Sequence, residues 1–401
     1  MEYSTPDTGQ AISPTGVRCV LGSLYDRFQH LSDSRKAKGK RYSLVTLVVV
    51  IFLAKLSGQD KPVAIADWAK NHAEALVQLL HLRHAWMPHH NTIRRVFQAL
   101  ISEAEFEQLL KDYHQAQSEA GGEVLAMDGK ALKGTRPGDQ TQCEYVLSIY
   151  DGQTQRVLVQ EKVGLKENEI VAAPKALAQV ALAGKIVTGD ALHAQRGISA
   201  YAVDQGGGYL WPVKENQPTV YHALEQLFNP PPPIPGFGQV ATDFERVQTV
   251  SKGHGRLEIR TLETSAMLND YLDWPSVGLV YRLERQFNWL RRGKIYKTSC
   301  EVEYGLTSLT RPAASPARVL AVRRAHWLVE TGLHYRRDVT FHEDATRMTL
   351  GPAGRILSIV HDLVVALLKA AGFANAAQGR RWFDGHLQEA FALLTGGKVP
   401  S

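Results

Sequence analysis

Between residues 16 and 120 the apolar positions recur three and four apart, the spacing of helices that bury one face. VRCVLGSLYDRF (17–28) carries that pattern, and Leu44–Leu56 (LVTLVVVIFLAKL) is apolar all round. The second run predicts a buried helix, because Thr46 and Lys55 interrupt it and it is too short to span a membrane. Further helices are predicted near 62–82, 91–101 and 103–117, with Asn91 as the N-cap of the middle one. At Gly121-Gly122 the period changes. EVLAMDG (123–129), EYVLSIYD (144–151) and QRVLVQEKV (155–163) read as strands, and Asp151-Gly152 between the last two is a hairpin signal. A helix (168–182), strand (185–191), helix (193–205), strand (208–214) and helix (217–228) follow. Three antiparallel strands followed by crossover helices predict an α/β fold, a mixed sheet with helices on its faces.

NPPPPIP (229–235) is a stiff linker, and the next eighty or so residues return to strand patterns: FERVQTVS, GRLEIRTLET, GLVYRLERQF and KIYKTSCEVEYGLTSL. Ser315-Pro316 is an N-cap followed by a proline at the first helical position; it predicts a helix to about Arg337, with two more near 352–371 and 378–395. The expected division is a disordered 1–15, a helical 16–120, the first part of the sheet domain at 121–228, a β-rich insertion at 229–312, and C-terminal helices at 313–401 that complete the sheet domain.

Composition changes the picture only modestly. Hydrophobic residues make up 44% and charged residues 21%, as in folded proteins. The net charge of +6 and pI of about 9.1 favour a polyanionic partner. Cys19, Cys143 and Cys300 stand far apart, so neither a disulfide framework nor a CxxC pair is expected, and a reducing cytoplasmic location is. The polar start MEYSTPDTGQ reads as no signal peptide.

The candidate chemistry lies in three carboxylates. Asp128 (LAMDGK) and Asp190 (IVTGDALH) end predicted strands, and Glu330 (HWLVETGLHY) lies within a predicted helix. If the two strands are neighbours, the aspartates converge. Their hard oxygens suit Mg²⁺, with Mn²⁺ as a substitute, and two such ions ~3.5–4 Å apart can cut and join phosphodiesters. Taken singly, each aspartate reads as a turn residue or helix cap; it is the pair in this strand order that points to a site. At 100° per residue, Arg323, His326, Trp327, His334 and Arg337 share the face of Glu330, a basic stripe suited to phosphates or to solvent. Glu258 in HGRLEIR is an alternative third acid, but Arg256 and Arg260 alternate onto its face and an ion-paired ladder explains it. Glu343-Asp344 in FHEDATR reads as a capping or supporting pair. His81, His84, His89 and His90 gain no cysteine and no HExxH, which argues against zinc. Gly206-Gly207-Gly208 lacks the GK[ST] ending of a phosphate loop. Trp289 in FNWLRRGKIYK, beside Arg291 and Arg292, could stack on an unpaired base or pack in a small core. Trp211 reads as core, and Lys214 beyond it as DNA-facing.

SLYDRF with GKRYSL, PHHNTIRRVF, LAMDGKALKGT, KENEI, IVTGDALH, YLWPVKENQP, KGHGRLEIR and AHWLVETGLHYRRDVTFHEDATR occur in this order over roughly residues 17–370. In this the chain resembles bacterial insertion-sequence transposases of the DDE class, of the H-repeat-associated type. The resemblance implies a ribonuclease-H-like core with a β-rich insertion between the second Asp and the Glu, and a helical N-terminal region that helps recognise transposon ends. It implies Asp128, Asp190 and Glu330 as catalytic residues and ligands of two Mg²⁺ ions. It implies double-stranded DNA as partner (transposon-end inverted repeats and target) and a homodimer on paired ends, in the bacterial nucleoid. Related transposases set a Tyr, an Arg and a Lys around the Glu; here Arg323, His326 and Arg337 stand at those positions. The expected DNA contacts are Arg35, Lys36, Lys38, Lys40, Arg41, Arg94, Arg95, Lys130, Lys133, Lys214, Trp289, Arg291, Arg292, Arg323, His326, His334 and Arg337. The rival expectations are a nuclease of the same core acting in defence or repair, and a DNA-binding protein that has lost catalysis.

Overall fold

A computed structural model describes residues 9–14, 16–116, 121–136, 142–164, 167–230, 242–253 and 255–397. The chain begins with a small antiparallel pair, β1 (Gln10–Ile12) and β2 (Arg18–Val20). Strand pairing therefore replaces the disorder expected at 10–12 and the helix expected at 18–20, while residues 1–8 and 15 lie outside the described residues. The reason is local: Gly22 adopts φ +79, and Ser23 caps the short α1 (Leu24–Phe28) by accepting from the Asp26 N–H.

The helical region continues with α2 (Leu44–Leu56), α3 (Pro62–Asn71), α4 (Ala73–Leu80), α5 (His90–Arg95) and α6 (Glu103–Ala116). Ser43 caps α2, which is buried along nearly its whole length, as its unbroken apolar run predicts. The cap of α5 is His89 rather than Asn91: its imidazole accepts from the Asn91 N–H at 3.3 Å.

The sheet has nine strands in the order β5-β4-β3-β6-β7-β11-β10-β9-β8. β3 (Val124–Leu132), β4 (Glu144–Asp151) and β5 (Arg156–Val163) form an antiparallel meander. After α7 (Glu169–Leu177), β6 (Ile186–Thr188) joins parallel to β3. After α8 (Arg196–Asp204), β7 (Gly208–Val213) joins parallel to β6, and α9 (Pro218–Phe228) follows. This mixed α/β arrangement, three antiparallel strands and then two parallel crossovers, is consistent with a ribonuclease-H-like core.

Of the proline linker expected at 229–235, only Asn229 and Pro230 are described; residues 231–241 lie outside the described residues. Beyond it, β8 (Glu245–Gly253), β9 (Arg256–Ser265), β10 (Leu279–Arg291) and β11 (Lys294–Thr307) form an antiparallel set. These strands extend the main sheet, because β11 pairs with β7 from Tyr304↔Val213 to Thr307↔Leu210. One face of the sheet buries α7, α8 and α9. The other carries α10 (Pro316–Val329), started by the Ser315 cap and Pro316 as its sequence predicts. α11 (Ala353–Ala370), α12 (Ala376–Asp384) and α13 (Leu387–Thr395) share one apolar core with α1, α2 and the other N-terminal helices. α11 also touches β5, so the end of the chain fastens the N-terminal helices to the sheet. Among the described residues, no helix is long and apolar enough to cross a membrane.

Candidate active site

β3 and β6 are parallel neighbours with Ala126 opposite Thr188. Two residues further along each chain come Asp128 and Asp190. Asp128 lies on β3 and Asp190 two residues past the end of β6, and alternation with period two, continued to Asp190, turns both toward the face of Ala126 and Thr188. That is the face covered by α10: Ala126 packs with Val329 and Leu333, and Thr188 Oγ1 lies 3.4 Å from His326 Nδ1. The aspartates, the helix of Glu330 and the β3–β6 junction thus meet at one place.

The two aspartates are held differently. Asp128 Oδ2 stands 3.2 Å from His334 Nδ1. Asp190 caps the turn Ala191–His193: its Oδ1 accepts from the N–H of Leu192 at 2.9 Å and of His193 at 3.3 Å. The His193 ring adds Nδ1 at 2.8 Å from the same Oδ1, and its Nε2 stands 3.2 Å from Glu169 Oε2. Burial would raise the Asp190 pKa, but the contacts with His193 outweigh it and hold the carboxyl below its ordinary value. Burial would lower the His193 pKa, yet the Asp190 and Glu169 carboxylates hold it up at about 9. His326 is the opposite case. Burial and then the Arg323 guanidinium push it down to about 4, against the attraction of Asp128 and Asp190. A neutral imidazole thus looks onto both aspartates.

Glu330 is exposed and follows directly on α10. The helix changes pitch there: the Tyr335 N–H bonds to the Glu330 carbonyl and the Phe341 N–H to that of Arg336, both five residues back. Such π turns are rare and recur at functional sites. They also break the 100° rule used to read the basic stripe. Arg337 does not face solvent beside Glu330; it is fully buried, with its guanidinium on Glu343 and Asp362. Arg323 is buried as well and donates to Glu303 on β11 at 2.6 and 2.8 Å. The stripe expected to hold DNA is therefore largely consumed inside the protein.

The remaining expected contacts divide the same way. Lys130 is buried against Asp338 at 2.6 Å, and Arg35 donates to Asp33 and to the Tyr42 carbonyl. These two are also structural pairs rather than free cations. Lys36, Lys38, Lys40, Arg41, Arg94, Arg95, Lys133, Lys214, Arg291 and Arg292 are exposed. Trp289 is half-buried under the Lys297 ammonium, 4.9 Å from the ring centre. Glu258 is buried and paired with Arg260 at 2.6 Å, as the ladder reading predicts. Glu169 and His193 were not legible as site residues. KENEI and GDALH are visible strings, but only the fold brings residues 169 and 193 together.

Asp128 and Asp190 supply the oxygens that Mg²⁺ or Mn²⁺ prefers, and among the described residues no partner stands on Asp190 Oδ2. In kind and facing, the pair fits a divalent metal. Among the described residues, however, no three His, Cys, Asp or Glu side chains are drawn together closely enough to hold an ion. Glu330 shares the location but is not gathered with the aspartates.

A family model described as "DDE_Tnp_1-associated" matches residues 25–114, and one described as "Transposase DDE domain" matches residues 119–353. "Putative transposase YncI" of Escherichia coli O157:H7 is 28% identical over 87% of this chain and 88% of its own length. "H repeat-associated putative transposase YhhI" of E. coli strain K12 is 27% identical over 87% and 90%. With more than half of its length matched by the transposase model, the chain belongs to the DDE transposase family, among relatives of the H-repeat-associated type.

Proposed function

We propose that this chain is a transposase that cuts DNA at the ends of its insertion sequence and joins the freed ends to target DNA, on a ribonuclease-H-like core. The observation that carries the reading is the register that sets Asp128 beside Asp190 beneath the helix of Glu330. In this reading Asp128, Asp190 and Glu330 hold two Mg²⁺ ions, with Mn²⁺ as substitute. When bound, such ions activate water or a 3′ hydroxyl for attack and stabilise the leaving oxygen. Asp128 would contribute to holding both ions, with Asp190 and Glu330 each completing one. His334 stands against Asp128, and neutral His326 adds no positive charge beside the aspartates. The exposed cations Lys36, Lys38, Arg41, Arg94, Arg95, Lys214, Arg291 and Arg292 bind phosphates without regard to sequence. The helical N-terminal region, with Arg94 and Arg95 on α5, reads the transposon ends. Two ends must be joined, which calls for a dimer on paired ends, acting at the bacterial nucleoid.

The test is incubation with transposon-end DNA and Mg²⁺, for the wild type and Asp128→Ala in parallel. Nicking at a defined end and joining to a second DNA, both lost in the variant, is the expected result. Unspecific degradation would point instead to a nuclease of the same core. Binding without cleavage by the wild type would point to a protein that keeps the scaffold alone.

A further inference from the structure

Each aspartate has a glycine as its neighbour, Asp128-Gly129 and Gly189-Asp190, and each glycine leaves room for one particular side chain. A Cβ on Gly129 would come within 2.2 Å of the Glu169 carboxylate, and a Cβ on Gly189 within 2.9 Å of the His193 ring. Any larger residue at either place would push Glu169 or His193 away. Those two side chains form a chain behind Asp190: Glu169 Oε2 to His193 Nε2 at 3.2 Å, then His193 Nδ1 to Asp190 Oδ1 at 2.8 Å. His193 is fully buried, whereas the Asp190 side chain is 55% exposed. The contact thus reaches from the protein interior to a carboxylate at the surface. Among the described residues, every contact of the Asp190 carboxylate falls on Oδ1: it accepts from the N–H of Leu192 and of His193, and the His193 ring stands at ion-pair distance from it.

We infer that Glu169 and His193 are positioning residues for Asp190: they fix its carboxylate so that Oδ1 is occupied and Oδ2 alone is presented to a divalent metal. This rests on the proposed role of Asp190 as a ligand. A freely rotating carboxylate would offer either oxygen, or both, and would lose rotational freedom on binding. A clamped one binds through a single oxygen in a set direction. Groups behind a ligand typically change metal affinity by about 10–100-fold when removed. Glu169 reaches His193 only because Gly129 lacks a side chain, so the strand that carries one aspartate helps to set the orientation of the other.

The experiment is Mn²⁺ titration of the full-length protein, followed by the electron paramagnetic resonance signal of free Mn²⁺, with thermal unfolding recorded for each variant. Asp190→Asn is the reference for loss of the ligand. Glu169→Gln and Gly129→Ala are expected to weaken Mn²⁺ binding by about 10–100-fold each. The double variant is expected to be no weaker than the worse single one, because both changes break the same contact. End cleavage should fall in each single variant at limiting Mn²⁺ and recover in part at saturating Mn²⁺. If Glu169→Gln and Gly129→Ala bind Mn²⁺ as tightly as the wild type while Asp190→Asn does not, the positioning role is overturned and the ligand assignment stands. If Asp190→Asn itself binds like the wild type, the ligand assignment falls and the inference falls with it. Should Glu169→Gln fail to fold, Gly129→Ala, which keeps every polar group, decides the matter.

Discussion

Two clusters of carboxylates and imidazoles flank the helix that runs on from α10, and they differ in access to water. Asp128 and Asp190 keep 26% and 55% of their side chains exposed, whereas Glu343 and Asp362 keep 5% and 1%. In the sealed cluster the Arg337 Nε donates to both Glu343 oxygens, at 3.1 and 3.0 Å. His361 Nδ1 stands 2.6 Å from Glu343 Oε2, and its other nitrogen 3.0 Å from Lys55 Nζ. Burial alone would raise the Glu343 pKa, but Arg337 and His361 outweigh it and hold the carboxyl well below its usual range. Lys55 comes from α2, His361 from α11 and Arg337 from the π turns. The network therefore ties the N-terminal helices to the segment just past Glu330. Acids matched with cations and sealed from water serve architecture; acids with a free oxygen at the surface are available for chemistry.

The largest expected effect separates the two clusters. Asp128→Asn should cut end cleavage by more than the ~100-fold that loss of a group behind a ligand costs, with the unfolding midpoint unchanged. Cleavage rates and thermal unfolding on one preparation check both halves; a fall in stability without a fall in rate would erase the contrast. Glu343→Gln should do the reverse. It leaves Arg337 buried without its main partner and should cost on the order of 3–5 kcal/mol in denaturant unfolding, while the folded fraction still cleaves.

A smaller effect comes from Lys55, whose pKa burial lowers to about 8 from 10.5. Between those values the unfolded chain binds more protons than the folded one, so the contribution of Lys55 to stability rises with pH across that window. Comparing wild type with Lys55→Met at pH 7.5 and 9.5 should show the difference moving in favour of the wild type by on the order of 1 kcal/mol. A constant difference would mean that Lys55 stays charged in the folded protein across this range, its pKa not lowered by burial. The smallest effect concerns free against engaged cations. Arg94→Ala should weaken DNA binding and lower the salt slope by about 1. Arg323→Met, whose guanidinium is engaged by Glu303, should leave the slope unchanged once the folded fraction is accounted for.

The nearness of Asp128 and Asp190 was legible because strand alternation and a βα crossover order are local patterns, and they suffice to make β3, which carries Asp128, the parallel neighbour of β6, which Asp190 follows by two residues. The ladder account of Glu258 was legible for the same reason. The burial of Arg323 and Arg337 was not: Arg323 lies on the regular α10 but pairs with a residue of β11, and the face of Arg337 was counted as if that helix ran on unchanged. The π turns after Glu330 shift everything beyond them, and the burial partners Glu303 and Asp362 are remote in sequence. The Glu169–His193 contact was hidden for a related reason: it depends on the space beside Gly129 and Gly189, which no periodicity encodes. Reading 229–312 as an insertion recovered its strands but not their fusion with the main sheet, since the pairing of β11 with β7 joins segments nearly a hundred residues apart.

On the proposed function the open cluster, completed by Glu330, carries out the DNA cleavage, and the decisive measurement is Mg²⁺-dependent cleavage of transposon-end DNA by Glu330→Gln and Glu258→Gln, each checked for folding. Glu330→Gln should leave no measurable cleavage and Glu258→Gln should keep much of it. Cleavage that survives in Glu330→Gln and is lost in a folded Glu258→Gln would contradict the assignment.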